Sequence, residues 1–380
     1  MNKKQFQREI LDTEDLNLSP FATKNSAAWR KAPISHPLRG PFARDRDHIL
    51  YSGSFRRYIG KTQVIYNAAS FDEQLANRSI HTLQVSQIAR SIGKVLKLNL
   101  DLIEAIALGH DLGHAPFGHD GERILQEICR QYKINLFFHN IHSLRVVDLL
   151  SDANRGMNLT YQVRDGIISH DGEINEITVK PDLNKTEKDN QRYVKGKQNG
   201  ENVSIFPSTL EGCLVRITDS ISYIGQDFED AIRIGLVKKN DLPDNIRETL
   251  GETNSDIINT LVHDVIENSC GKNEISYSKE VARNVFHLKT FNLKHIYENQ
   301  SLKKERKKVR KAFFFLFDHF VKDIKDNKSD SIVFQEWIFN RGEDKGKRYI
   351  SDYSPQEIVV DYLASMTDRY FLNAYGFLTE

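Results

Sequence analysis

Apolar residues recur at helical rather than strand intervals along most of this chain. From Ile80 onward, Ile80, Leu83, Ile88, Ile92 and Val95 fall three to five residues apart, which predicts a helix with that face inward. DLIEAIALGH follows, with Asp101 as the expected N-cap. ERILQEICRQY, HSLRVVDLLSD and LTYQVRDGIISH repeat the pattern between short polar breaks. In STLEGCLVRITDSISYIGQDFEDAIRIG, a turn of about 100° per residue gathers Leu210, Leu214, Ile217, Ile221 and Ile224 into one stripe. Asp219, Tyr223 and Asp227 recur at i, i+4 and i+8, so they share the opposite side. One face packs and the other is free for chemistry.

Two stretches break this rhythm. Residues 17 to 67 mix Pro20, Pro33, Pro37, Pro41 and Gly53 with arginines and read as an irregular arm rich in anion-seeking groups. Residues 171 to 203 are polar, with glycine and lysine, and predict a mobile loop or small hairpin of the kind that covers sites. No internal repeat or low-complexity tract is present. The expected fold class is all-α.

With 380 residues a large core can be buried, in one domain or two. The formal net charge is +1, so no global field draws the protein to nucleic acid or membrane, and any anion binding must be local. Cys129, Cys213 and Cys270 are far apart and form no CxxC pair, which argues against a disulfide framework and fits a reducing cytoplasm. The first residues supply no uninterrupted apolar h-region. AFFFLFDHFV, from Ala312, is too short to span a bilayer and is broken by Asp318 and His319, so a soluble protein is expected.

The densest chemistry lies in HDLGHAPFGHDGE, where His110, Asp111, His114, His119 and Glu122 crowd around three glycines and a proline. A divalent ion needs imidazole nitrogens and ionised carboxylates converging at about 2.0–2.3 Å. His110 and Asp111, at a helix end, offer one of each. His81 on the preceding helix and Asp219 on the polar face described above are the natural third and fourth ligands. Singly, each would be read as a cap, a surface group or a satisfied core residue; together, on three predicted helices, they predict a metal site. Two imidazoles and two carboxylates suit Mn²⁺ or another first-row ion (Fe²⁺, Co²⁺, Zn²⁺) and, less well, Mg²⁺.

These residues carry a resemblance. HTLQV from His81, HDLGHAPFGHDGE from His110, and Asp219 resemble the split H…HD…D motif of HD-superfamily hydrolases, and the PFGH turn is similar to that of the deoxynucleoside triphosphate triphosphohydrolase branch, the bacterial dGTPase family. RDRDHILYSGSFRRYIGKTQVIYN (Arg44 to Asn67) resembles that family's FRRL…KTQVF segment, and VVDYLASMTDRY (Val359 to Tyr370) its DYIAGMTDRY signature. Gln226 stands where the family commonly has a histidine, and Ser365 where it has a glycine.

The resemblance implies an HD-domain helical bundle with peripheral helices. It implies an N-terminal arm and substrate-contacting segment over 1–67, a catalytic core over 68–235 with its polar insertion at 171–203, and a C-terminal helical region over 236–380 that completes the nucleotide pocket and oligomer contacts. By position, His81, His110, Asp111 and Asp219 match metal ligands, and His119 and Glu122 match a catalytic pair that protonates the departing 5′-oxygen. His114 matches a residue at the α-phosphate or its attacking water. Gln63 matches a contact to the sugar 3′-hydroxyl, and Tyr223 and Asp227 match the sugar-reading pair that leaves no room for a 2′-hydroxyl. Arg78 matches a phosphate-binding arginine. The implied reaction is attack of metal-activated water on the α-phosphorus of a dNTP, dGTP foremost, releasing deoxynucleoside and inorganic triphosphate in the cytoplasm.

Further expectations are a homo-oligomer, no membrane partner and a possible regulatory nucleotide. The basic run KKERKKVRK (303 to 311) reads as a solvated helix face, with single-stranded nucleic acid as the less favoured partner. The lysines between Tyr193 and Lys197 are weak candidates for the β- or γ-phosphate. Two rival readings keep the fold: an HD phosphohydrolase acting on a monophosphate or signalling nucleotide, and a non-catalytic nucleotide or nucleic-acid binder. Retention of His119 and Glu122 argues against the second.

Overall fold

The amphipathic stripe of Leu210, Leu214, Ile217, Ile221 and Ile224 organises the core in the computed structural model: all five are buried along one helix, Leu210–Arg233. The structure describes residues 3–34, 39–62, 77–151, 156–171, 177–299 and 303–379. Helices predominate, and the one sheet among the described residues is a two-residue pairing of Thr178–Val179 with Ile275–Ser276, antiparallel.

Helices Arg78–Val95, Leu100–Gly109, Tyr161–Ser169 and Asn254–Ser269 pack against Leu210–Arg233 and share one apolar cluster with it. The arm contributes to this cluster through the short helix Pro41–Leu50, whose Phe42 and Ile49 are fully buried. A second cluster joins helix Gly118–Tyr132 to Lys303–Lys325 and Pro355–Ser365, with Phe313, Phe317 and Phe320 at its centre. The segment from His110 to Glu122 thus stands between two cores. No helix among the described residues is long and apolar enough to cross a membrane.

Three local expectations are corrected. On helix Arg78–Val95, Ile88 and Ile92 face inward as expected, but Ile80, Leu83 and Val95 are 43%, 53% and 53% exposed. The inward face is shared instead by His81, Thr82, Val85 and Ala89, because polar groups are needed where this helix meets Leu210–Arg233. Asp101 is not the N-cap of its helix. Asn99 is, accepting the Leu102 amide (3.1 Å), while Asp101 receives Arg46 Nη1 at 2.7 Å.

The polar stretch 171–203 is the third correction, for it contains a helix, Glu187–Gln198. Its apolar content is too low for a core helix, and a capping box supplies the start: Asp189 Oδ2 accepts from the Thr186 amide (2.9 Å) and from Thr186 Oγ1 (2.7 Å). Buried Lys185, 2.7 Å from Asp165, and buried Tyr193 fix it to the helical body. The basic run also has partners: Arg306 pairs with Asp120 (2.7 Å) and Arg310 with Glu127.

Thr186→Ala is expected to cost about 1 kcal/mol and to speed amide exchange over 187–198 specifically. Unchanged exchange there would show that the cap does not set the helix.

Candidate metal centre and histidine cluster

Helix Leu100–Gly109 ends at Gly109, where a Cβ would lie 2.7 Å from the Ile167 Cδ1 and would push that side chain, packed here from the Tyr161–Ser169 helix, aside. His110 is the C-cap. Its Nδ1 donates to the Ala107 carbonyl (2.7 Å), which leaves the Nε2 lone pair facing inward. His81 is set the same way by another route: Ser222 Oγ donates to the Asp219 carbonyl (2.8 Å), so it accepts from His81 Nδ1 (3.1 Å) and frees His81 Nε2.

Four side chains then converge. His81 Nε2 lies 3.0 Å from Asp219 Oδ1 and 4.0 Å from Asp111 Oδ2, and His110 Nε2 lies 3.4 Å from Asp111 Oδ2 and 3.7 Å from Asp219 Oδ1. Ligand atoms about 2.1 Å from a common cation stand about 3–3.5 Å apart, so this spacing fits a divalent ion. His110 Nε2 is buried with no hydrogen-bond partner among the described residues, an orphan that a cation would satisfy.

The charges agree. Burial pushes Asp111 upward, but His110 and Arg78 outweigh it and hold the carboxyl well below its usual range. Asp219 is also held down against burial, by a hydrogen bond from His81 Nε2 and the charge of His110 when these imidazoles carry the proton that a bound cation would displace. Both carboxylates are therefore ionised. Arg78, expected to bind phosphate, pairs here with Asp111, while its Nε and Nη2 are buried without partners among the described residues.

A second cluster surrounds Glu122 on helix Gly118–Tyr132. Its carboxylate accepts from His139 N (2.9 Å), from His139 Nδ1 (3.0 Å) and from His119 Nδ1 (3.3 Å). His114 stacks on His139 at 4.4 Å between centroids, and His139 Nε2 is 3.2 Å from His170 Nε2, which lies 3.6 Å from Asp111 Oδ1. Burial opposes a charge on His139, yet Glu122 raises it to about 10, and Glu122 is itself held well below its usual value. Burial and the charges of His110 and His139 push His170 down to about 4. The His119 side chain is 65% exposed, the one open imidazole of this group.

The turn that presents His119 is fastened from afar. Phe117 adopts a left-handed conformation (φ 62°), and its amide donates to Asp368 Oδ1 (2.9 Å). Asp368 also accepts from the Thr62 amide (3.0 Å), while buried Lys61 donates to the carbonyls of His114 and Ala364. Gln63, expected at the sugar 3′-hydroxyl, lies outside the described residues. One and two turns beyond Asp219 stand Tyr223, 6.4 Å from the His81 ring, and Asp227, buried and accepting from Tyr297. Of the candidate lysines, Lys195 is exposed and Lys197 lies over the Phe138 ring.

His139, His170, Ser222 and Tyr297 were not singled out from the sequence. His170 carried a readable signal: ISHD repeats the helix-ending pattern of LGHD, and His170 Nδ1 likewise donates to the carbonyl three residues back (Ile167, 2.6 Å). His139 had none, because its role comes from Glu122, 17 residues away.

The HD domain family matches residues 78–224 and the phosphohydrolase-associated domain family residues 275–376. A deoxyguanosinetriphosphate triphosphohydrolase-like protein of Caldanaerobacter subterraneus subsp. tengcongensis is 37% identical, over 97% of this chain and 94% of its own. Proteins of the same name from Desulfatibacillum aliphaticivorans and Rickettsia peacockii are 36% and 32% identical, over 97% and 92% of this chain and 96% and 93% of theirs. The chain belongs to the dGTPase-like family of HD-domain phosphohydrolases. The all-helical architecture and the divalent-ion chemistry of its donor set are those of HD phosphohydrolases.

In this phosphohydrolase, burial raises Asp227 to about 7 against the lowering hydrogen bond from Tyr297. An unfolded aspartate ionises near about pH 4, so this residue's contribution is full below that pH and is lost as pH rises through about 7. Asp227→Asn should therefore gain stability relative to the parent across that window and not below it, read as denaturation midpoints against pH. A difference independent of pH would show that Asp227 is ionised in the fold.

Proposed function

We propose that the chain hydrolyses deoxynucleoside triphosphates, dGTP foremost, to deoxynucleoside and inorganic triphosphate. One observation carries this reading: Asp219, Tyr223 and Asp227 follow one another at single-turn spacing on helix Leu210–Arg233. A sugar held by the last two would lie within two turns of Asp219 and so beside the candidate metal ligands. The family name borne by the relatives points to the same substrate class.

His81, His110, Asp111 and Asp219 would hold the divalent ion, with Mn²⁺ favoured by the mixed imidazole and carboxylate donors. When bound, such an ion neutralises phosphoryl charge and acidifies water. Arg78, with two nitrogens that have no hydrogen-bond partner among the described residues, adds positive charge for the phosphate chain. His119, exposed and hydrogen-bonded to Glu122, donates a proton to the leaving 5′-oxygen. His139 positions Glu122 by holding both of its oxygens. His114, stacked on His139, faces the α-phosphate, and Gln63 contacts the 3′-hydroxyl. Tyr223 closes the space beside C2′ and so selects deoxyribose.

Incubation with each dNTP and Mn²⁺, followed by chromatography, should yield deoxynucleoside and triphosphate, with dGTP turned over fastest. Release of diphosphate or single phosphate instead would refute the bond assignment. His119→Ala should lower kcat by about 10²–10⁴-fold with metal content unchanged. Asp219→Ala should lose both metal and turnover, read by elemental analysis beside the assay.

A further inference from the structure

Within the basic run 303–311, Arg306 differs from its neighbours. It stands on helix Lys303–Lys325 with its side chain only 25% exposed, and it uses two nitrogens of its guanidinium in different directions. Nε donates to Asp120 Oδ2 (2.7 Å), and Nη2 donates to the Tyr297 carbonyl. Arg310, one turn on, pairs with Glu127 across the same two helices. Those side chains are 49% and 46% exposed, and surface pairs of that kind contribute little.

Both acceptors of Arg306 adjoin candidate site residues. Asp120 follows His119 in the first turn of helix Gly118–Tyr132. Tyr297 closes a widened turn, Leu293–Tyr297, in which the Glu298 amide donates to the Leu293 carbonyl five residues back (2.9 Å). Such turns are frequent at functional positions. The Tyr297 hydroxyl donates to Asp227, and Asn292 Nδ2, just before the turn, donates to the Ile224 carbonyl (2.8 Å) and so fixes the turn to helix Leu210–Arg233. One guanidinium therefore ties the residue after the exposed histidine to the residue that holds Asp227.

The two ends of this strut come from different family domains: Asp120 from residues 78–224, Tyr297 and Arg306 from residues 275–376. Asp120 has a structural purpose of its own, since an acidic group in the first turn suits the helix N-terminus and also pairs with Arg123. What Arg306 adds is a fixed span between the two edges. Lysine would keep the charge, but its donors sit on one nitrogen of a flexible stem, whereas arginine reaches two acceptors from separate corners of a rigid plane.

Resting on the dNTP reading above, we propose that Arg306 is a positioning residue. It sets the span between His119 and the sugar-reading Asp227, so that a sugar held at one edge presents its 5′-oxygen to the proton donor at the other. Arg306 itself need touch no reacting atom.

Arg306→Gln, Arg306→Lys and Asp120→Ala, with Arg310→Gln as control, would be compared with the parent in two measurements. In steady-state kinetics with dGTP and Mn²⁺, the first three should lose about ten- to a hundredfold in kcat, with KM, metal content and denaturation midpoint close to the parent's. The control should match the parent. Hydrogen exchange, which needs no turnover, should quicken over both 117–122 and 293–299 in Arg306→Gln and over neither in Arg310→Gln. An unchanged kcat would overturn the proposal. A raised KM with kcat retained would also do so, making Arg306 a substrate contact, as would full recovery with Arg306→Lys, making charge sufficient. Exchange altered in one segment alone, or in neither, would remove the strut. If Arg306→Gln does not fold, Asp120→Ala carries both measurements with the same expectations. A parent that releases no triphosphate from any dNTP would refute the reaction and with it this role, while the strut would still stand or fall on exchange.

Discussion

Two ionised carboxylates, Asp111 and Asp219, held side by side in a buried place are the constraint around which this protein is arranged. Such a pair is unfavourable alone, and His81, His110 and Arg78 lower its cost. None of these groups can move far, because each sits on a helix locked into the same apolar cluster. The core serves the charge arrangement. That is why helix Arg78–Val95 turns polar His81 and Thr82 inward and leaves Ile80 and Leu83 facing out.

The histidines are governed by simple local devices. At two helix ends a carbonyl three residues back takes Nδ1–H, fixing the tautomer of His110 and His170 without help from distant residues. Glu122 works differently, joining exposed His119 to buried His139. One carboxylate thus links a histidine open to solvent with one that stays charged inside.

Legibility in the sequence followed the range of the interactions. The Leu210–Arg233 helix, the existence of its neighbours and the convergence of His81, His110, Asp111 and Asp219 were readable, since periodicity and clustered donors are local signals, whereas the N-cap at Asn99 was not. The helix at Glu187–Gln198 was missed because its stability comes from a capping box and a few anchors rather than an apolar stripe. His139 and Tyr297 were missed for another reason. Their partners, Glu122 and Asp227, are brought to them only by tertiary packing, and nothing in spacing announces it.

Asp368 has a consequence for how the molecule comes into being. It fastens Thr62, which precedes it by 306 residues, and the Phe117 amide, which precedes it by 251. A ribosome adding about 5–20 residues per second needs roughly 15 to 60 s to make the chain between Thr62 and its fastener. Until Asp368 is made, the left-handed turn at Phe117 lacks this hydrogen bond, so all four candidate ligands, the last of them Asp219, are synthesised before the edge that carries His119 is secured.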